Sequence, residues 1–307
     1  MSDHLSKRAF VFPGQGSQYV GMGKDLFEHS EKAKEIYRTA DEILGFPLSK
    51  ISFEGPEELL KQTKNTQPAI FLHSIVVLNL LNPKLTADMA GGHSLGEYTA
   101  LVYAGALNFE DALRLVRLRG ELMQQAGVEQ KGTMAAVIGL SVSTVNEICK
   151  NVGETNGIVQ PANFNSPDQI VISGSTSGVK KAMELLKAAG AKLVKELPVS
   201  GAFHSPLMES AKESLRKALE KVSFSDTLIP VYTNVTAKAV TKGSEFRSLL
   251  YQQLMNPVRW EETILNMSAN GASEFIEIGP GKVLQGLVKR INSTATTRGF
   301  EKWADVK

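Results

Sequence analysis

The sequence predicts an α/β fold with a small subdomain inserted into a larger one, and three observations predict it. Short apolar runs that end in Gly or Pro alternate with helical patterns. The stretch from Gly127 to Ser200 reads strand, helix, strand, helix, strand, an order that closes on itself as a split-βαβ unit. A serine stands in Gly92-His93-Ser94-Leu95-Gly96, where a strand turns into a helix.

Taken in chain order, Ala9–Phe12 reads as a strand stopped by Pro13-Gly14. Ala87–Ala90 reads as a small-residue strand ending at Gly91-Gly92, with a helix from Leu95 to Tyr103. A helix over Phe109–Gln125 begins at Asn108, a good N-cap with Asp111 three residues on. In the middle, Met134–Leu140, Ile170–Ser173 and Lys192–Leu197 are strands, separated by amphipathic helices Ser143–Lys150 and Thr176–Ala189. The helix Ser205–Lys221 resumes the main fold. Phe275–Ile278, stopped by Gly279-Pro280-Gly281, and the helix Val283–Arg290 close it. The division expected is a large domain over 1–126 and 201–307 and a small subdomain over 127–200.

At 307 residues the chain is long enough for about two domains. Its 42% apolar and 21% charged content is globular, and the lone Cys149 excludes an internal disulfide framework. The longest apolar stretch, Ile70 to Leu81, is interrupted by His73, Ser74 and Asn79 and is too short to span a bilayer. Ala9–Phe12 is no signal-peptide core, so a soluble cytoplasmic protein is expected. A net charge of +2 gives no argument for nucleic acid. The segment Lys131–Pro198 carries seven lysines against five acids, either a weakly basic lobe for an acidic partner or a solvated helix face.

Ser94 is the candidate nucleophile. On a tight strand-to-helix turn its Oγ is lifted off the sheet, and the N–H of Leu95 is left free to donate to an oxyanion. The histidines can be enumerated as bases: His4 and His29 lie in terminal or polar surroundings, His73 sits in an apolar helix, and His93 should point away across the turn. His204 remains, just before a helix N-terminus that begins Ser205-Pro206, where the helix dipole disfavours an imidazolium. An obvious acidic third member and an HGGG-like loop are missing, and Asp111 and Asp168 stand in no telling context.

On the helix after Asn108, Ala112, Leu115, Val116 and Met123 form one stripe, and Arg114, Arg117 and Glu121 cluster opposite. Arg119 falls inside the apolar stripe. A buried guanidinium cannot shed its proton, so it requires either an internal carboxylate or one brought by a substrate.

Seven motifs in register then resemble one family. They are Phe12-Pro13-Gly14-Gln15-Gly16-Ser17-Gln18, Gly92–Tyr98, Arg117–Gly120, Asn163–Pro167, Gly201–Pro206, Asn256–Trp260 and Ile278–Gly281. Between about Ala9 and Arg290 the chain is similar to the malonyl-CoA:acyl carrier protein transacylases of fatty-acid synthesis; the tail after Ile291 matches nothing. The resemblance implies an α/β-hydrolase-like large domain with an inserted ferredoxin-like subdomain, Ser94 as nucleophile, and His204 as base oriented by the main-chain carbonyl of Gln253. It further implies an oxyanion hole from the N–H groups of Gln15 and Leu95, Arg119 as ligand of the malonyl carboxylate, and Asn165 and Gln67 near the site. Phe203 resembles the bulky position that goes with malonyl rather than methylmalonyl units. No cofactor or metal is expected; malonyl-CoA is a substrate, and an acidic acyl carrier protein is the partner, docking at the small subdomain.

Two other classes fit part of the pattern. A serine hydrolase needs only the elbow and the histidine, but leaves Arg119 and the missing acid unexplained. A non-catalytic docking module leaves the serine and histidine without purpose. Few residues precede the first strand and few follow the last helix, which favours a discrete enzyme over a polyketide synthase domain.

Overall fold

The computed structural model describes residues 7–81 and 83–307, so His4 lies outside the described residues. Among the described residues ten strands form two sheets: β1 (Lys7–Phe12), β2 (Met89–Gly92), β3 (Gly132–Ile138), β4 (Val159–Ser166), β5 (Gln169–Ser175), β6 (Leu193–Glu196), β7 (Val231–Tyr232), β8 (Ala239–Val240), β9 (Ala272–Ile278) and β10 (Thr296–Phe300). The large sheet has the order β10-β9-β1-β2-β7-β8 and is parallel except for β8. Residues Ala9–Phe12 of β1 are all buried because helices cover both faces. Phe10 and Phe12 enter one apolar cluster while Ala9 and Val11 enter the other, the period of two that a strand imposes.

The chain leaves β1 toward β2 on one side and meets β9 on the other. Parallel sheets bind ligands at such a switch point, beyond the carboxyl ends of the strands. The turn after β1, the Ser94 turn after β2 and Asn234 after β7 all lie at that edge.

The small sheet is antiparallel, in the order β4-β5-β3-β6, with helices Val142–Thr155 and Thr176–Ala188 completing a βαββαβ chain order. Ala135, Val137, Ile170 and Ile172 pack on those helices, while Met134 and Val171 face the large unit's core. This is the ferredoxin-like arrangement, and it contains one strand more than the sequence pattern predicts. β4 escapes the pattern because Pro161, Asn163 and Asn165 break its apolar alternation and two register shifts interrupt its ladder. It is an edge strand, where proline is tolerated, and its outer side bonds Val258 of the large unit.

Other boundaries also move. The strand expected at Ala87–Ala90 is Met89–Gly92, shifted toward the elbow. The helix expected from Ser205 is a 3₁₀ turn, Pro206–Met208, capped by Ser205, followed by an α-helix from Glu209 to Glu220. The tail after Ile291 is structural: β10 adds an edge strand beside β9, and Trp303 stacks on His29. Among the described residues no helix is long and apolar enough to cross a membrane, and no cluster of three His, Cys, Asp or Glu could hold a metal ion.

Candidate active site

Ser94 has φ 51°, a left-handed backbone that costs energy for a residue with a side chain. Its glycine neighbours make the turn possible. A Cβ on Gly92 would stand 1.9 Å from the Gly96 carbonyl carbon, and one on Gly96 would stand 2.1 Å from the Phe12 carbonyl oxygen. Asn234 holds the turn from beneath: the Ser94 N–H donates to its Oδ1 at 2.7 Å, and its Nδ2 donates to the Gly92 carbonyl at 2.7 Å.

His204, also at positive φ (57°), brings Nε2 to 2.8 Å from Ser94 Oγ. Its Nδ1 lies 2.8 Å from the main-chain carbonyl of Gln253, which can only accept. The Nδ1 proton is therefore assigned there, leaving Nε2 bare to take the serine proton. Burial first, and then the Arg119 charge, push the imidazole down to about 3, so it is neutral at physiological pH. The α-helix downstream begins only at Glu209, so its dipole is not the cause that the sequence suggests.

Arg119 is 1% exposed on the helix Phe109–Glu129 and has no carboxylate partner among the described residues. Its Nη1 donates to Gln67 Oε1 at 2.7 Å, and its Nη2 donates to Gln253 Oε1 at 2.9 Å and Ser94 Oγ at 3.0 Å. Nε is buried without an acceptor. The internal ion pair, one of the two readings of this arginine, is absent among the described residues. The exposed Arg114 and the half-buried Arg117 of this helix pair with Glu110 and Glu121 instead.

The N–H groups of Leu95 and Gln15 have no acceptor among the described residues, and the Pro13–Gln15 turn packs on the elbow, with the His93 N–H bonding the Phe12 carbonyl at 3.0 Å. Asn165 does not touch Ser94; its Oδ1 meets His93 Nε2 at 2.8 Å. Gln15, His93, Asn163, Asn165, Leu197 and Val283 help line a cavity of about 500 Å³ between the two sheets. Phe203 is 6% exposed and belongs to the main apolar cluster.

A serine hydrogen-bonded to a neutral histidine, with free N–H groups in adjoining turns, is built for acyl transfer. Residues 9–298 match the family model described as the acyl transferase domain. The chain belongs to the acyl transferase family. It is 48% identical to the malonyl CoA-acyl carrier protein transacylase of Bacillus subtilis (strain 168), over 95% of this chain and 93% of that one. The enzyme of the same name from Staphylococcus aureus (strain MSSA476) is 43% identical, over 99% and 98%. Among solved structures, an acyl carrier protein S-malonyltransferase from Vibrio cholerae superposes with a TM-score of 0.94 at 43% identity, covering 98% of this chain and 99% of that one. A malonyl-transacylase in complex with a type II PKS acyl-carrier protein superposes with a TM-score of 0.94 at 41% identity, covering 98% of each chain.

In this acyl transferase Ser94, His204, Arg119, Gln253 and Gln67 form one hydrogen-bonded cluster. Asn165 and Phe203 stand outside it. Two further residues bonded to this cluster were not singled out by sequence reasoning: Asn234, and Glu97, which is 1% exposed with a carboxyl that burial raises to about 7. A carboxylate in the first turn of the otherwise apolar helix Gly96–Tyr103 was the available signal for Glu97. Asn234 offered none beyond its place after a two-residue strand.

Proposed function

We propose that this chain moves a malonyl group from CoA to the phosphopantetheine thiol of an acyl carrier protein through a malonyl-Ser94 ester. The observation that carries the reading is the position of Ser94 Oγ, 2.8 Å from a bare histidine nitrogen and 3.0 Å from an arginine that lacks an anion. Relatives of the same name, at 43–48% identity, support the choice of substrate and partner.

In the first half-reaction Ser94 Oγ attacks the thioester carbonyl and His204 Nε2 takes its proton. The oxyanion is received by the N–H groups of Leu95 and Gln15. Collapse of the tetrahedral species breaks the carbon–sulfur bond, and His204 returns the proton to the departing CoA sulfur. The carrier thiol then enters, gives its proton to His204 and attacks the ester, and Ser94 leaves with that proton. The main-chain carbonyl of Gln253 stabilises the imidazolium as it forms, in place of a carboxylate.

Arg119 receives the free carboxylate. Its Nε–H has no acceptor, and Nη2 can exchange Ser94 Oγ for a substrate oxygen; Nε and Nη2 form the edge of a guanidinium that takes a carboxylate in two parallel bonds. Gln67 fixes the far side of the fork. The division of labour we propose gives residues 1–126 and 201–307 the chemistry and residues 127–200 one wall of the cavity and the carrier contact.

Incubation with malonyl-CoA followed by intact-protein mass measurement tests the reading. A malonyl adduct that is absent from Ser94→Ala and discharged by a carrier thiol is expected. Turnover to free malonate would make the protein a hydrolase, and an adduct on Ser94→Ala would remove Ser94 from the nucleophile role.

A further inference from the structure

Gln253, like Ser94, touches both the base and the arginine. Its main-chain carbonyl accepts from His204 Nδ1, and its side-chain Oε1 accepts from Arg119 Nη2 at 2.9 Å. Its Nε2 turns the other way, donating to Glu97 Oε2 at 2.7 Å and to the Ser94 carbonyl at 3.0 Å. A carboxamide can face two ways, and here its neighbours decide. A guanidinium only donates and a carboxylate only accepts, so the oxygen must face Arg119 and the nitrogen must face Glu97.

Glu97 is itself fixed. It sits in the first turn of the helix that follows Ser94, and its Oε2 also accepts the Asn234 N–H at 2.9 Å. Gln253 ends the helix Gly243–Gln253, where carbonyls have no partner inside the helix. The bonds of its side chain therefore help hold the carbonyl that orients His204.

We propose that Glu97 is a positioning residue of the transfer reaction, acting through Gln253 to align His204 and Arg119 together. The inference rests on the malonyl-transfer reading. Removing the carboxylate takes away the shortest acceptor of the Gln253 Nε2 and loosens the amide, whose Oε1 holds Arg119, together with the carbonyl that orients His204. Glu97 makes no hydrogen bond to Ser94 Oγ among the described residues; its other partner, Asn234, holds the Ser94 turn, so the test separates a route through Gln253 from one through Asn234.

The test is a double-mutant cycle on the rate of malonyl-serine formation, using Glu97→Leu, Gln253→Ala and the pair. Glu97→Leu is expected to slow acylation about 30-fold in the wild-type background, the size of a lost hydrogen bond to a charged group, and by less than about 3-fold when Gln253 is already alanine. Glu97→Gln, whose carbonyl can accept both bonds, is expected to restore most of the rate. Equal slowing by Glu97→Leu in both backgrounds, with no rescue by Glu97→Gln, overturns the proposal. Should Glu97→Leu not fold, the cycle is run with Glu97→Gln, for which a loss of about 3-fold is expected with Gln253 present and none without it; equal losses overturn the proposal there too. A wild-type protein that forms no malonyl adduct fails the malonyl-transfer reading instead, so the two failures are distinct.

Discussion

Arg119 Nη2 donates to Ser94 Oγ over 3.0 Å, which places a buried cation against the atom proposed to attack the thioester. This closeness suits a three-carbon diacid. In a malonyl thioester one methylene separates the carbonyl carbon from the free carboxylate, so a carboxylate on Arg119 brings the carbonyl to Ser94. The same bond gives the hydroxyl oxygen an acceptor role toward Arg119 while its proton faces His204.

Arg119→Ala should therefore lower kcat/KM for malonyl-CoA far more than for acetyl-CoA. Breaking a buried charge pair costs about 3–5 kcal/mol, or roughly two to four orders of magnitude in rate. Arg119→Lys should recover little, because an ammonium cannot reproduce the planar fork that Gln67 and Gln253 hold. The measurement is the ratio of the two specificity constants. An equal fall for both acyl-CoAs would make the arginine a structural residue.

The acid side of the pH profile reports on His204. Its folded value lies at about 3, below the ordinary value near 6.5, because burial and Arg119 disfavour the charged form. Neutral imidazole is the active form, so lowering the pH from about 7.5 to about 5.5 should leave kcat/KM within about 2-fold, whereas an ordinary histidine would lose about 10-fold. Glu97, which faces Arg119, Tyr98, Asn234 and Gln253, is raised to about 7 and can add its own inflection. An inflection near 7 that disappears in Glu97→Gln belongs to Glu97. One near 6.5 that persists would show that His204 is not held below its ordinary range.

Much of this was legible in the sequence, and what was not has a physical cause. The elbow could be read because Gly92 and Gly96 obey a local steric rule that involves only the turn and the strand beside it. Arg119 could be read because helical periodicity places it among Ala112, Val116 and Met123, all of which are buried. Asn234 and Glu97 act through contacts spanning 140 and 156 residues, to Ser94 and Gln253, and no local pattern encodes such a distance. β4 was lost because an edge strand bonded outward to Val258 has no need of apolar alternation.

Docking of the carrier protein is tested at the lysine-rich face. Lys180 and Lys187 are exposed on the helix Thr176–Ala188 without an ion-pair partner among the described residues, whereas Lys181 pairs with Glu184 at 3.1 Å. Reversing Lys180 and Lys187 to Glu should raise KM for an acidic carrier more than for malonyl-CoA. Reversing Lys181 should do less, since Glu184 already offsets its charge. Because exposed charges are screened beyond roughly 8 Å at physiological salt, the difference should shrink as salt is added. Equal changes in both KM values would assign these lysines to ordinary solvation.

Phe203 sits between a substrate role and a packing role, and one experiment separates them. The residue precedes His204, so its side chain is carried on the same turn as the base, yet it is 6% exposed and clusters with buried apolar side chains. Truncating a buried phenylalanine typically costs about 3–5 kcal/mol, so Phe203→Ser carries a stability loss whatever its effect on substrate choice. Phe203→Leu keeps most of the apolar volume and replaces the ring with a shorter branched chain. If the ring excludes the extra methyl of methylmalonyl-CoA, the preference for malonyl-CoA should fall by about 10- to 200-fold in Phe203→Leu, the range for one methyl group in an apolar pocket. Acetyl transfer should change little, because neither Arg119, the proposed carboxylate site, nor His204, the proposed base, is altered. A lower melting temperature with an unchanged malonyl-to-methylmalonyl ratio would place Phe203 in the core alone, and the methyl would then be excluded by another wall of the site.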